Sequence, residues 1–149
     1  MGEHFYEPAK GHGLAHNPFK AIVAPRPIGW ISTVDREGRI NLAPYSFFNA
    51  VSDAPPMLYF STTGARKDSL NNIEATGEFV VNFVGAAQAV AMNATSASVA
   101  HGIDEFTLAG LEHAPSTMVA PPRVAGAIAA MECRLTQIIQ RRVSRSTAG

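Results

Sequence analysis

What this sequence has little of narrows its function first. It has a single cysteine, Cys133, so no internal disulfide can form, which fits a reducing compartment. It has no surplus of either charge, with Lys+Arg and Asp+Glu both at 12; nothing global points to nucleic acid or an anionic membrane as partner. No apolar run approaches the roughly 18 residues of a spanning helix. The N-terminus, MGEHFYEPAKGHG, lacks the basic stretch and apolar run of a signal peptide. The expectation is a soluble cytoplasmic domain.

Reactive motifs are equally scarce. There is no G-x-S-x-G elbow, no C-x-x-C and no H-E-x-x-H. The carboxylates stand singly, mostly beside turns, so no general acid–base pair can be nominated and no catalytic side chain is assigned. GHGLAH at 11–16 lacks the third glycine and the preceding strand of a dinucleotide fingerprint. His12 and His16 could share a helix face, but no third ligand has matching spacing and no metal site is assigned. A protein that does chemistry without reactive groups of its own borrows them from a cofactor.

What is present is a dense middle. At 149 residues the chain is most simply one domain, able to bury roughly 68–70% of its unfolded surface. Residues 1–25 read as an irregular arm with one short turn around Asn17–Ala21. Ile28–Val34 is a strand by its β-branched and aromatic content. Asp35-Arg36-Glu37-Gly38 supplies a turn in which Gly38 takes positive φ. The chain returns through Arg39–Val51 as a hairpin. Ser52-Asp53-Ala54-Pro55-Pro56 breaks that strand, because proline cannot donate to a ladder; Met57–Thr62 is a third strand.

Asp68 reads as the N-cap of a helix that buries Leu70 and Ile73 and ends at Gly77. Glu78–Val84 is a fourth strand, with Phe79, Val81 and Phe83 on one face and Val80 and Asn82 on the other. Ala86–Ala94 is a short helix. Residues 95–126 are mostly loop, with a turn of helix at Asp104–Leu108. Ala127–Ile139 alternates with period two as a long strand, Cys133 falling on its apolar face as a small buried hydrophobe. The tail RRVSRSTAG reads as disordered. Strands joined by turns, without βαβ alternation, favour an antiparallel barrel with helices on its rim.

Three features could serve a ligand, each with a plain structural alternative. Arg66-Lys67-Asp68-Ser69 places two cations before a helix start, which suits a phosphate or simply makes a solvated, capped turn. Ser32-Thr33, and Ser61-Thr62-Thr63, put hydroxyls in or at the end of strands, where they could meet a polar ligand or each other. Asn41-Leu42-Ala43-Pro44-Tyr45-Ser46 carries a proline inside a strand-like run, which needs a bulge or an edge. A bulged backbone could read the edge of a flat heterocycle; an ordinary kink could not.

RPIGWISTVDREGRINLAPYSFFNAVSDAPPMLYFS, followed by RKDSLNNI, EFVVNF, MNATSA and DEFTLAGL, resembles the flavin reductase-like, FMN-binding split-barrel proteins, the flavoprotein oxygenase group. The likeness runs from about Phe19 to Leu135. It implies an all-β/α+β fold over 26–140, a six-stranded antiparallel Greek-key barrel with short helices packed on the rim, binding FMN as a homodimer. Trp30, Ile31, Ser32 and Thr33 would line the flavin site. Asn41, Leu42, Ala43, Pro44 and Ser46 would approach the rings, largely through backbone. Ser61, Arg66, Lys67, Asp68 and Ser69 would hold the ribityl phosphate end, and Tyr45, Phe48, Asn82 and Phe106 are candidate wall residues.

The resemblance implies an NAD(P)H-dependent flavin reductase, or the reductase component feeding a partner oxygenase, with hydride passing from nicotinamide to flavin N5. A flavin carrier or sensor, and a split barrel with a vacant pocket, are the other readings. The family pattern stops near Leu135. A barrel lacking its last strand would leave the strand of residues 127–139 with an unpaired edge.

Overall fold

The computed structural model of the chain describes residues 2–63 and 67–140; the tail expectation, for 141–149, lies outside the described residues. The architecture is organised around strand β1 (Gly29–Val34), whose first five residues are all buried. β2 (Ile40–Tyr45) and β5 (Glu78–Asn82) flank it, and β8 (Ala130–Arg134) pairs outside β5. All of these pairings are antiparallel. β3 (Phe48–Asp53) and β4 (Pro56–Phe60) form a separate hairpin, and β6 (His113–Ala114) and β7 (Arg123–Val124) a short ladder. Among the described residues, strand pairing does not close these sheets into one barrel.

β1 is buried because it is covered on both edges and both faces. Its alternate side chains feed two cores, as a period-two strand must. Ile31 joins Phe48, Ile73, Phe79 and Val81 on one face. Trp30 joins Leu42, Phe106 and Val124 on the other. Each such large side chain contributes roughly 1.5–3 kcal/mol on leaving water. The contact is tight at Gly29, where an added Cβ would lie 2.7 Å from Phe48 Cδ2.

The local signals mostly work as expected. Asn17 caps α1 (Pro18–Ile22), its side chain accepting from Phe19 N at 3.0 Å. Asp35 shapes the β1–β2 turn by accepting from the amides of Glu37 and Arg39, and Gly38 sits at φ 83°. Gly77, left-handed at φ 76°, ends α2 (Asp68–Thr76). The helix expected over Ala86–Ala94 begins as a 3-10 turn and continues as α3 (Ala89–Ala94). Asp104 caps α4 (Glu105–Leu108), accepting from Phe106 N at 2.9 Å.

Three expectations need correction, and the choice left open at Pro44, a bulge or an edge, is resolved. The run Arg39–Val51 is not one strand: the chain leaves the first sheet after Tyr45 and enters the β3–β4 hairpin at Phe48. Pro44 sits on the sheet's edge strand, and the β1–β2 register runs unshifted from Val34↔Ile40 to Gly29↔Tyr45. The edge position thus accommodates the missing N–H, and no bulge is present there. Lys67, not Asp68, is the N-cap of α2, and no side-chain cap bond is made. β8 is shorter than the alternation suggested because its partner β5 spans only Glu78–Asn82, opposite Arg134–Ala130. Within it Cys133 packs beside the first core, and burial raises its thiol to about 11.

Candidate functional site

A cavity of about 350 Å³ opens where β2, the start of α2, the loop after α3 and the first residue of α4 meet. Its walls are Asn41, Ala43, Pro44 and Tyr45 from β2, Lys67, Asp68 and Ser69 from α2, and Thr95–Val99 with His101 and Glu105 opposite. That volume lies within the roughly 300–1,000 Å³ of small-molecule sites. Two stretches distant in sequence, each singled out for a ligand, form its near wall together.

Beneath the wall lies a continuous polar network. Glu105 is buried at 4% exposure. One carboxylate oxygen accepts from Asn41 Nδ2 at 2.9 Å, the other from Leu42 N at 3.1 Å. Asn41 Oδ1 accepts from Ser69 Oγ at 2.6 Å and from Thr33 Oγ1 at 3.4 Å. Tyr45 Oη donates to Ser69 Oγ at 3.0 Å, and Asn72 Nδ2 donates to Thr33 Oγ1 at 3.0 Å. No buried side-chain polar atom among the described residues lacks a partner. A buried carboxylate without such bonds would be strongly unfavourable.

Burial pushes the Glu105 carboxyl above its ordinary range, against the bonds from Leu42 and Asn41, with Asp68 adding to the rise. Burial likewise raises the Tyr45 hydroxyl; Ser69 opposes that, while the charges of Glu105 and Asp68 add to it. Tyr45 therefore stays a neutral hydroxyl in the physiological range. At the rim, Asp68 Oδ1 pairs with His101 Nδ1 at 2.9 Å.

The residues expected to bind a ligand divide into groups. Asn41, Ala43, Pro44, Lys67, Asp68 and Ser69 line the cavity, as does Tyr45. Trp30, Ile31, Ser32 and Thr33 are wholly buried in β1 behind it. Trp30 Nε1 donates to Thr95 Oγ1 at 2.9 Å and Ser32 Oγ to the Pro122 carbonyl at 2.5 Å, so these polar atoms are spent on the interior. Leu42 is in the second core, and Phe48, Asn82 and Phe106 are also buried. Ser46 accepts from Arg26 Nε at 3.4 Å, and Ser61 follows β4, its amide bonded to the Phe47 carbonyl. Neither Ser46 nor Ser61 lines the cavity. Arg66 lies outside the described residues.

Glu105, Asn72, Thr95 and His101 were not anticipated as part of this arrangement. Ser69 and Asn72, three apart on α2, carried one available signal: two polar residues on the face that also buries Ile73. The Asp104 cap and the Glu105 that follows carried another, but nothing local shows that this carboxylate turns inward.

The walls fit a flavin phosphate in chemical type. Lys67 supplies a cation, α2 presents its uncapped first turn, and Ser96 and Ser98 supply hydroxyls. The apolar Ala43 and Pro44 flank the other part.

Residues 23–146 match the family described as the flavin reductase like domain. A protein of Aquifex aeolicus without assigned function is 39% identical over 122 residues, 79% of this chain and 62% of that protein. Nitrilotriacetate monooxygenase component B from Bacillus cereus superposes with TM-score 0.81 at 31% identity, over 92% of this chain and 70% of that one. An FMN-binding domain of a flavin reductase-like enzyme from Shewanella baltica superposes with TM-score 0.68 at 25% identity, over 75% of this chain and 58% of that one. The chain spans about three fifths of the length of the curated relatives it matches.

Proposed function

The chain belongs to the flavin reductase-like family, and on that footing we propose that it is an FMN-binding oxidoreductase that takes reducing equivalents from NAD(P)H. The observation that carries this is one cavity walled both by Asn41, Ala43, Pro44 and Tyr45 and by Lys67, Asp68 and Ser69. Bound FMN would supply the redox chemistry, accepting hydride at its N5. The chain's own residues bind and orient. Lys67, with Arg66 and the first-turn backbone amides of α2 at Asp68 and Ser69, takes the phosphate; Asn41, Ala43 and Pro44 flank the rings; the β1 residues Trp30 to Thr33 hold that wall rigid from behind. No side chain acts as acid or base.

The same reading assigns the flavin domain to 26–140 and has it function in the cytoplasm as a homodimer, with a six-stranded Greek-key barrel. A partner oxygenase is the proposed recipient of the reduced flavin, supported by the likeness to a monooxygenase component. The test is the visible spectrum of the purified protein with added FMN, followed by NADH and NADPH consumption under air. A perturbed flavin band and nicotinamide oxidation support the reading. An unperturbed spectrum ends the flavin assignment, and binding without oxidation makes the protein a carrier.

A further inference from the structure

With Glu105 ionised, the hydrogen bonds beneath the cavity have one consistent direction, and it fixes what the Tyr45 hydroxyl can do. Both oxygens of Glu105 face N–H donors, Asn41 Nδ2 and Leu42 N. A carboxylate is acceptor-only, so it holds Asn41 with the amide nitrogen toward it and Oδ1 away. Asn41 Oδ1 cannot donate; at 2.6 Å from Ser69 Oγ, the shared proton must be the serine's. Ser69 has then used its only hydrogen and can only accept from Tyr45, 3.0 Å away. Tyr45 has in turn used its own. Its oxygen has only lone-pair capacity left for anything in the cavity.

We propose that Tyr45 is a hydrogen-bond acceptor for a hydroxyl on the bound flavin's ribityl chain, and that Glu105 is the positioning residue that makes it one. The proposal rests on the flavin reading above. The ribityl chain is the matching donor because Tyr45 stands between the two parts of the wall. Ala43 and Pro44, its neighbours on β2, flank the ring side, while its hydroxyl is tied to Ser69 at the start of α2, on the phosphate side. The segment joining rings to phosphate carries hydroxyl donors. A ligand offering an acceptor there would meet two facing lone pairs and be rejected.

Replacing Glu105 by Gln offers an N–H where Asn41 also presents one. The favourable response is a flip of the Asn41 amide, which reverses every bond up to Tyr45 and turns its proton into the cavity. Geometry and volume barely change; polarity does.

Riboflavin, FMN and lumiflavin, which has no ribityl chain, are titrated against the full chain by flavin fluorescence. Tyr45→Phe is expected to weaken riboflavin and FMN about tenfold, the scale of one lost hydrogen bond, and to leave lumiflavin unchanged. Glu105→Gln should weaken FMN to a similar extent, yet have no further effect when Tyr45 is already Phe. A merely structural role for Glu105 would give the same loss in both backgrounds. If Glu105→Gln fails to fold, Ser69→Ala breaks the same relay and should show the same dependence on Tyr45. Undiminished FMN affinity in Tyr45→Phe, an equal loss with lumiflavin, or losses that ignore Tyr45 would overturn the inference. A wild-type protein that binds none of the three flavins ends the flavin reading itself.

Discussion

Two buried asparagines, Asn41 and Asn82, sit on opposite sides of β1 and use the same amide for different ends. Asn82 is wholly buried, its Nδ2 donating to the Trp30 carbonyl and Ser32 Oγ, its Oδ1 accepting from Val124 N at 2.8 Å. Every partner is interior, and the effect is to staple β5 to β1 and to β7. Asn41 is also buried and fully bonded, but its network includes a carboxylate and ends at a cavity wall. A closed network stabilises; an open one also sets the polarity of a surface that a ligand meets. Satisfied hydrogen bonds alone do not separate the two cases.

The sharpest way to break this comparison is at the closed network. Asn82→Ala removes three hydrogen bonds and leaves Val124 N and the Ser32 cluster short of a partner in a dry core. Unsatisfied buried groups cost about 1–3 kcal/mol each, so a loss of about 2–4 kcal/mol is expected. Urea unfolding measures it as a lower midpoint with unchanged slope. The FMN affinity of the folded protein should stay within about twofold of wild type; a large fall in affinity would mean Asn82 reaches the ligand after all.

Asn41→Ala should act on both quantities. It leaves the Glu105 carboxylate with one donor and the Ser69 hydroxyl without its acceptor. A stability loss of about 2 kcal/mol is expected, together with an FMN dissociation constant raised at least about tenfold, because the wall loses its fixed polarity. Chemical unfolding and fluorescence titration of one preparation give both numbers. Loss of stability with intact affinity would make the open network no different from the closed one.

How much of this was readable in advance follows the same division. Period-two alternation in GWISTV and EFVVNF, with a left-handed glycine at 77, locates the central sheet and the end of α2, because those signals are local. The hydroxyls of Ser32 and Ser69 look alike in sequence. One points to the Pro122 carbonyl, 90 residues on, the other to Asn41. That distinction depends on what packs overhead. The β6–β7 ladder carries no sequence signal, because two-residue strands have no period to detect. The sheet change after Tyr45 is hidden in the sequence, because the strand that follows from Phe48 to Asp53 is separated from β2 by only two residues.

A cation at the rim sharpens the comparison from the other side. Lys67 is exposed and caps α2 only through its backbone. Lys67→Ala should therefore leave stability within about 0.5 kcal/mol, the usual range for surface substitutions. FMN affinity should fall about tenfold, as a charge-assisted contact to phosphate is lost. Riboflavin, which has no phosphate, should bind as before. Equal losses for FMN and riboflavin would move the phosphate away from the α2 start.

The smallest effect expected is a dependence on pH, and it too should belong to the open network alone. Burial raises the Glu105 carboxyl, opposed by its bonds to Leu42 and Asn41. In the unfolded chain the same group titrates near about 4.3. A carboxyl raised on folding binds its proton longer in the native state, so native protein holds more protons across the window between the two values. Stability is then fully present below the unfolded value and is lost as pH rises through the folded one. The expected outcome is a urea midpoint for wild type that declines from about pH 4 upward relative to Glu105→Gln, which has no proton to lose. Asn82 and its partners carry no titratable group, so Asn82→Ala should shift the whole profile down without changing its shape. A wild-type profile parallel to that of Glu105→Gln would mean the two N–H donors stabilise the carboxylate fully against burial. Glu105 would then remain an acceptor throughout the acid range, and Asn41 would stay locked in one orientation with it.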